Sequence, residues 1–164
     1  MSDKLKQIIK KQSQKESENL THTDDVVQLV GFVIGDEEYA VPILSIQEII
    51  KPFPWTRVPQ VPKHVIGVFN MRGAVIPLID LRTKFGLSPK KHNEETRFIV
   101  MRDGDDIAGF VIDRLTMAIR IKKTDIGPAP DTANGDDTAI DGVGKQADKI
   151  ITILKVKKLL QRDF

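Results

Sequence analysis

The chain has no cysteine, one tryptophan, one tyrosine and three histidines in 164 residues. The lack of cysteine excludes disulfides, thiolate metal ligands and a thiol nucleophile, and it suits a reducing compartment such as the cytoplasm. Aromatic residues make up 5%, too few for a stacking platform that would bind single-stranded nucleic acid. The net charge is only +2, so no global basic field predicts binding to nucleic acid or anionic lipid.

Long apolar runs are also absent. No run approaches the roughly 18 residues of a membrane-spanning helix, and residues 1–25 lack the apolar core of a signal peptide. We therefore expect a soluble, cytoplasmic protein without direct membrane insertion. Residues 1–25 carry five Lys and five acidic residues among Gln and Ser, which predicts a disordered N-terminal tail. Leu5, Ile8 and Ile9 have the spacing of one amphipathic helical turn within it.

The sequence contains no motif in which His, Gly or acidic residues have the spacing of a catalytic, phosphate-binding or metal site. His22, His64 and His92 lie in the tail or in Pro- and Lys-rich loops, with no i, i+4 pairing. The glycines form no phosphate-binding pattern at the start of a helix. Adjacent carboxylates on a strand point to opposite faces and cannot act together as acid and base. We therefore interpret three such pairs as turn residues: Glu37-Glu38, Glu94-Glu95 and Asp105-Asp106. We expect no catalytic residues, no metal and no cofactor.

Two hairpins can be predicted from short Val- and Ile-rich runs separated by Gly and Asp. The first joins Leu29–Ile34 to Tyr39–Val41, and the second joins Phe98–Arg102 to Ile107–Ile112. The two hairpins are about 69 residues apart along the chain. Their similar pattern suggests an internal repeat.

The later segments of the two halves also match, at an offset of 75 residues. Gly67-Val68 aligns with Gly142-Val143, and Val75–Ile79 aligns with Ile150–Leu154. The chain is therefore interpreted as two diverged copies of a unit of roughly 60 residues. The larger offset fits a longer loop in the second copy, Gly127–Asp137.

Each copy supplies four or five short strands, which can bury an apolar face when they curl into a small barrel. The predicted fold is all-β, with two barrels packed together. Short helices are expected at Leu81–Phe85 and Val156–Gln161, with Asp80 capping the first. The expected boundaries are a first barrel over roughly residues 26–90, a second over roughly 95–160, and a C-terminal tail over 161–164.

One turn differs between the two copies. The first copy has Phe69-Asn70-Met71-Arg72-Gly73 where the second has Gly144-Lys145-Gln146-Ala147-Asp148. The architecture therefore does not require the Asn-x-Arg-Gly sequence. Asn70 and Gly73 would close a turn in either interpretation. Arg72 is either a solvated turn residue or a forked guanidinium that meets a partner's carboxylate or carbonyl groups.

Several motifs occur in order along the chain. The central motif runs Asn70-Met71-Arg72-Gly73-Ala74-Val75-Ile76-Pro77-Leu78-Ile79-Asp80-Leu81-Arg82. It is preceded by Gly35-Asp36-Glu37-Glu38-Tyr39-Ala40-Val41-Pro42-Ile43 and by Ile46-Gln47-Glu48-Ile49. Further segments are Arg57-Val58-Pro59, Pro62, Ile66-Gly67-Val68, Pro128-Ala129-Pro130 and Ile151-Thr152-Ile153-Leu154. Together these motifs resemble the bacterial chemotaxis coupling family CheW, and the resemblance covers roughly residues 26–160.

This resemblance implies a CheW-like fold of two SH3-like five-stranded barrels without catalysis. It implies an adaptor between the cytoplasmic tips of methyl-accepting chemoreceptors and the regulatory domain of the histidine kinase CheA. It also implies rings of CheW with CheW or CheA, clustered at membrane-associated receptor arrays. By position, Ile46, Glu48 and Arg72 would bind the receptor, and Gly67 and Gly73 would shape the kinase contact. Ile46 could instead be a core residue without a role in binding. The two glycines could instead be required only by backbone geometry.

Two other interpretations compete with a free-standing adaptor. One is a regulatory CheW-like module of a kinase or of a fused coupling protein, but Met1 and the polar leader favour the adaptor. The other is a small-barrel nucleic-acid binder, which would need a basic stripe with interleaved aromatics.

Overall fold

The computed structural model describes residues 25–128, 139–146 and 148–161. These residues form eleven strands and two short α-helices, so the prediction of an all-β fold with short helices is confirmed. The strands are β1 (Val26–Ile34), β2 (Glu37–Pro42), β3 (Ile46–Ile50), β4 (Val65–Met71), β5 (Ala74–Asp80), β6 (Arg97–Asp103), β7 (Asp106–Ile112), β8 (Arg114–Lys122), β9 (Ile126–Gly127), β10 (Ile140–Gln146) and β11 (Lys149–Leu154). The helices are α1 (Leu81–Lys84) and α2 (Val156–Leu159), and 3-10 turns cover Ile43–Ser45 and Lys123–Asp125.

Some predicted segments lie largely outside the described residues. They are the N-terminal tail, most of the long loop of the second copy, Ala147 and most of the C-terminal tail.

The strands pair into two sheets. One has six strands in the order β8-β1-β2-β11-β10-β9, and the other has five in the order β3-β6-β7-β5-β4. The sixth strand of the larger sheet is the two-residue β9, which pairs with Val143 and Gly144 after the 3-10 turn.

Strand register confirms the internal repeat and both offsets. Phe69 pairs with Ile76 in the β4–β5 hairpin, and Gly144 pairs with Ile151 in the β10–β11 hairpin, 75 residues later. Each of these hairpins also has a bulge at its far end, again 75 residues apart. The β1–β2 and β6–β7 hairpins correspond at the offset of 69, because their closing pairs are Ile34 with Glu37 and Asp103 with Asp106.

The sheets interleave the two halves of the chain. β5 pairs in parallel with β7, with Leu78 opposite Gly109, and β11 pairs in parallel with β2, with Ile153 opposite Ala40. Each sheet therefore combines the hairpin of one copy with the following strands of the other. The expected division into contiguous units over 26–90 and 95–160 does not match this pairing. Diverged copies offer equivalent strand edges, so the repeat alone does not determine which copy's hairpin an edge will accept.

The apolar core has three parts, one confined to each sheet and one shared between the sheets. The shared cluster takes Phe32 and Ile34 from the six-stranded sheet, and Ile99, Met101 and Phe110 from the five-stranded sheet. All five are almost fully buried. Burial of side chains of this size contributes about 1.5–3 kcal/mol each, so the shared cluster holds the sheets together.

Helix α1 begins directly after β5 and is capped as predicted. The Asp80 carboxylate accepts hydrogen bonds from the Arg82 amide and the Thr83 hydroxyl, both at 3.1 Å. Lys155 stands at the corresponding position before α2 and makes no side-chain cap. The cap is therefore a property of the first copy alone.

Candidate protein-docking site

The turn between β4 and β5 holds Arg72 in an unusual backbone conformation. Arg72 and Gly73 are the two residues between the paired positions Met71 and Ala74, and their φ angles are 52° and 83°. Two consecutive positive φ angles are characteristic of a type I′ hairpin turn, which glycine adopts without strain and arginine rarely adopts. Because this tight turn fixes the backbone, it presents the Arg72 side chain from a rigid base.

Glu48 on β3 is the partner of that side chain. Arg72 Nη2 lies 3.1 Å from Glu48 Oε1, and the two residues are 24 positions apart in sequence. The Arg72 side chain is 79% exposed, whereas that of Glu48 is 29% exposed. An ion pair this exposed contributes little to folding stability. Its effect is to orient the guanidinium towards Glu48, which leaves the other N–H groups of Arg72 available to solvent or to a partner.

The ion pair borders an apolar groove of about 260 Å³, which we call the Arg72 groove. Its floor and walls include Ile50, Phe53, Phe69 and Met71. Phe69 is buried, while Phe53 is half exposed although it is large and apolar. An apolar surface beside a forked cation is the arrangement found at the centres of protein interfaces, where aromatic residues and arginine dominate the binding free energy.

Ile46 does not lie with Glu48, although the two are only two residues apart. A bulge at Gln47 interrupts β3, so that Ile46 pairs with Met101 and Glu48 pairs with Val100. Met101 and Val100 are consecutive and point to opposite faces of β6. Ile46 accordingly packs against the core cluster shared by the sheets. The structure thus brings together two of the three predicted receptor-binding residues and places the third on the other face.

Gly67 is buried where the β3–β4 loop runs alongside β4. Thr56 exchanges two backbone hydrogen bonds with Val68, at 2.7 and 2.8 Å. A Cβ atom at Gly67 would lie 2.3 Å from the Thr56 carbonyl oxygen. A side chain there would push the loop away from the strand, so close backbone approach requires glycine. At Gly73, in contrast, a Cβ atom would have no atom of the described residues within 4 Å, and only the positive φ favours glycine.

Sequence reasoning did not identify the apolar part of the Arg72 groove. Phe53 stands between Pro52 and Pro54, a context in which a large apolar residue is held in an extended loop rather than in a strand. That signal was available. The contributions of Ile50 and Met71 were not visible, because their strands are separated by the whole β3–β4 loop.

The pKa of Tyr39 is perturbed by its surroundings in the fold. Burial, followed by its hydrogen bond to Glu37 at 2.9 Å, raises the pKa of Tyr39 to about 12. No group of three or more His, Asp or Glu is placed to hold a metal ion in the described ranges. Within the same ranges, no helix is long and apolar enough to cross a membrane.

Comparisons with known proteins agree with the motifs. A family model described as CheW-like domain matches residues 28–164. The chain is 52% identical over 169 aligned residues to the chemotaxis protein CheW of Helicobacter pylori, with 100% of both chains covered. It is 30% identical to that of Bacillus subtilis, over 83% of this chain and 88% of the relative. The crystal structure of scaffolding protein TtCheW from Thermoanaerobacter tengcongensis matches with a TM-score of 0.74 and 30% identity, over 79% of this chain and 88% of that one.

Proposed function

The chain belongs to the CheW-like domain family, and from this premise we propose that it is a chemotaxis adaptor that couples chemoreceptors to the histidine kinase CheA. It acts by binding and catalyses no reaction. The adaptor is favoured over a module of a kinase or of a fused coupling protein because relatives at 52% and 30% identity are named chemotaxis protein CheW.

The observation that carries the receptor contact is the Arg72–Glu48 pair beside the Arg72 groove. The guanidinium is exposed, oriented by an acidic partner and adjacent to an apolar surface. A helical receptor tip that offers an apolar side chain to the groove and a carboxylate or carbonyl to Arg72 fits this chemistry. Ile46 supports the contact from the core side, where it holds β3 in position.

The kinase contact is proposed for the surface shaped by Gly67 and Gly73. Gly67 sets the position of the β3–β4 loop, and Gly73 sets the turn that carries Arg72. The regulatory domain of CheA is the expected partner on this surface, and alternating contacts of this kind would build rings at membrane-associated receptor arrays. Residues 26–160 are the proposed CheW-like unit, with 1–25 and 161–164 as tails.

Binding measurements with separate partners test the proposal. We expect the purified protein to bind a receptor cytoplasmic fragment and the CheA regulatory domain, each alone, and to bridge them in a mixture. Arg72→Ala should weaken receptor binding more than tenfold, or about 2 kcal/mol. Arg120→Ala, which removes an exposed arginine on β8, is the matched control and should bind normally. Normal receptor binding by Arg72→Ala at an unchanged melting temperature would exclude the proposed role of Arg72.

A further inference from the structure

A second and larger cleft lies between the β3–β4 loop and the segment that follows α1. It has a volume of about 890 Å³ and shares no lining residue with the Arg72 groove. We call it the tryptophan cleft, because Trp55 lines it together with Pro59, Pro62 and Leu87. Trp55 and Leu87 are 41% and 40% exposed, so a large apolar surface faces solvent here.

The segment of the chain that supplies the cleft lining is rich in positive charge. Residues 51–93 contain eight Lys and Arg but only one acidic residue, Asp80, whereas the whole chain has 25 and 23. Asp80 is buried, and its carboxylate caps α1. Asp80 also lines the cleft, where it is only 9% exposed. Arg72 and Arg82 are paired with Glu48 and Asp113, and the remaining Lys and Arg residues leave this segment with an excess of positive charge that would attract complementary charge on a partner.

Two of these cations line the cleft itself. Arg57 and Lys63 are both exposed. Neither forms an ion pair with any residue in the described part of the chain. Lys90 and Lys91 follow Pro89, which forms another part of the cleft wall. A bound carboxylate would thus meet cations that have no competing acidic partner among the described residues.

The cleft is preformed by backbone and ring contacts. The two hydrogen bonds between Thr56 and Val68 fix one end of the β3–β4 loop, and the Val65 amide donates to the Pro62 carbonyl at 3.0 Å at the other. The Trp55 ring lies 5.3 Å from the ring of His92, centroid to centroid. A rigid surface loses little conformational entropy on binding.

We propose that the tryptophan cleft binds an extended acidic peptide segment of a partner protein. Arg57 and Lys63 pair with carboxylates of that segment, and Trp55 with its neighbouring prolines contacts an apolar or proline side chain between them. A peptide fits better than a nucleic acid, because a single-stranded nucleic acid needs successive aromatic residues for stacking, and Trp55 is the only aromatic residue of the described chain that lines the cleft. This binding is independent of Arg72, and the cleft shares the β3–β4 loop with the surface proposed for the kinase contact.

Trp55 provides a direct measurement, since it is the single tryptophan of the chain. The probe is a synthetic peptide of repeated Glu-Leu-Pro triplets, about 12 residues long. We expect saturable binding with a shift of Trp55 emission to shorter wavelength. Reversing both cleft cations, Arg57→Glu with Lys63→Glu, should weaken binding at least tenfold. Lys122→Glu with Lys123→Glu makes the same change in net charge at exposed residues outside the cleft and should weaken binding less than threefold.

Three results would overturn the proposal. They are no emission shift at millimolar peptide, equal binding by the cleft reversal and the control reversal, and full competition by an oligothymidylate of the same length, which would indicate a general polyanion surface. If the charge reversal lowers the melting temperature, Arg57→Ala with Lys63→Ala replaces it and should also weaken binding at least tenfold. Arg72→Ala should bind the peptide normally, which separates this proposal from the receptor contact.

Discussion

Arg82 and Asp113 form an ion pair that joins the two halves of the chain. Arg82 Nη1 lies 2.5 Å from Asp113 Oδ2, and the two side chains are only 19% and 12% exposed. The same carboxylate oxygen accepts the Gly35 amide at 2.8 Å, while Arg82 Nε donates to the Ser88 carbonyl at 2.9 Å. Asp113 thus links helix α1, the β1–β2 turn and the β7–β8 junction.

Removal of one member of this pair should destabilise the fold. Arg82→Ala leaves a largely buried carboxylate with one remaining donor, and we expect a loss of about 2–4 kcal/mol of unfolding free energy. Urea unfolding measures it directly. Arg120→Ala on the exposed face of β8 is the comparison and should change stability by less than about 0.5 kcal/mol. If Arg82→Ala and Arg120→Ala lower the unfolding free energy equally, the ion pair does not stabilise the fold.

Arg72 should matter for binding and not for folding. Its side chain is exposed and its ion pair is screened by water, so Arg72→Ala should change the unfolding free energy by less than about 1 kcal/mol. Arg72→Lys should restore receptor binding poorly, because an ammonium lacks the planar fork. Glu48→Lys should also impair binding, since it replaces the orienting partner with a like charge. Thermal melting and receptor titration of the same variants check this; an unfolded Arg72→Ala would contradict it.

Gly67 and Gly73, which are proposed to shape the kinase contact, should respond differently to replacement by alanine. Gly67→Ala places a Cβ 2.3 Å from the Thr56 carbonyl oxygen, and the loop displacement should cost about 1–3 kcal/mol. In Gly73→Ala the new Cβ has no atom of the described residues within 4 Å. Only the φ of 83° is unfavourable for alanine, and it should lower the unfolding free energy by about 1 kcal/mol. Gly73→Asn should be milder still, because asparagine tolerates that conformation. A Gly67→Ala protein as stable as Gly73→Asn would show that the β3–β4 loop yields without cost.

Tyr39 gives a pH dependence with a definite sign. Its pKa is raised to about 12 by burial and by Glu37, above the ordinary value near 10. The folded state therefore holds the phenolic proton more tightly than the unfolded state. The associated stability is fully present below about pH 10 and is lost as pH rises towards 12.

Because Tyr39 is the single tyrosine, phenolate absorbance reports it alone. We expect its titration midpoint to lie well above 10 in the folded protein and near 10 in urea. Tyr39→Phe should remove this contribution to the alkaline fall in stability. A midpoint near 10 in the folded protein would contradict the effect of burial.

Local features followed from the sequence because residues close along the chain set them. Alternating apolar runs between Gly and Asp predicted the β1–β2 and β6–β7 hairpins, and the offsets of 69 and 75 reappear in strand register. Asp80 was identified as a cap because capping needs only the two or three residues that follow. The difference between the two copies at the Asn70–Gly73 turn indicated Arg72, because that comparison needs only the sequence.

Tertiary structure alone decided how these pieces combine. The parallel pairings of β5 with β7 and of β11 with β2 place each hairpin with the other copy, and equivalent strand edges in a repeat leave that choice to the packing of the whole core. The bulge at Gln47 separates Ile46 from Glu48, a shift of register that no alternation pattern predicts. The contact of Glu48 with Arg72 arises because β3 and β4 stand at opposite ends of one sheet's strand order and approach each other only when that sheet curves in three dimensions.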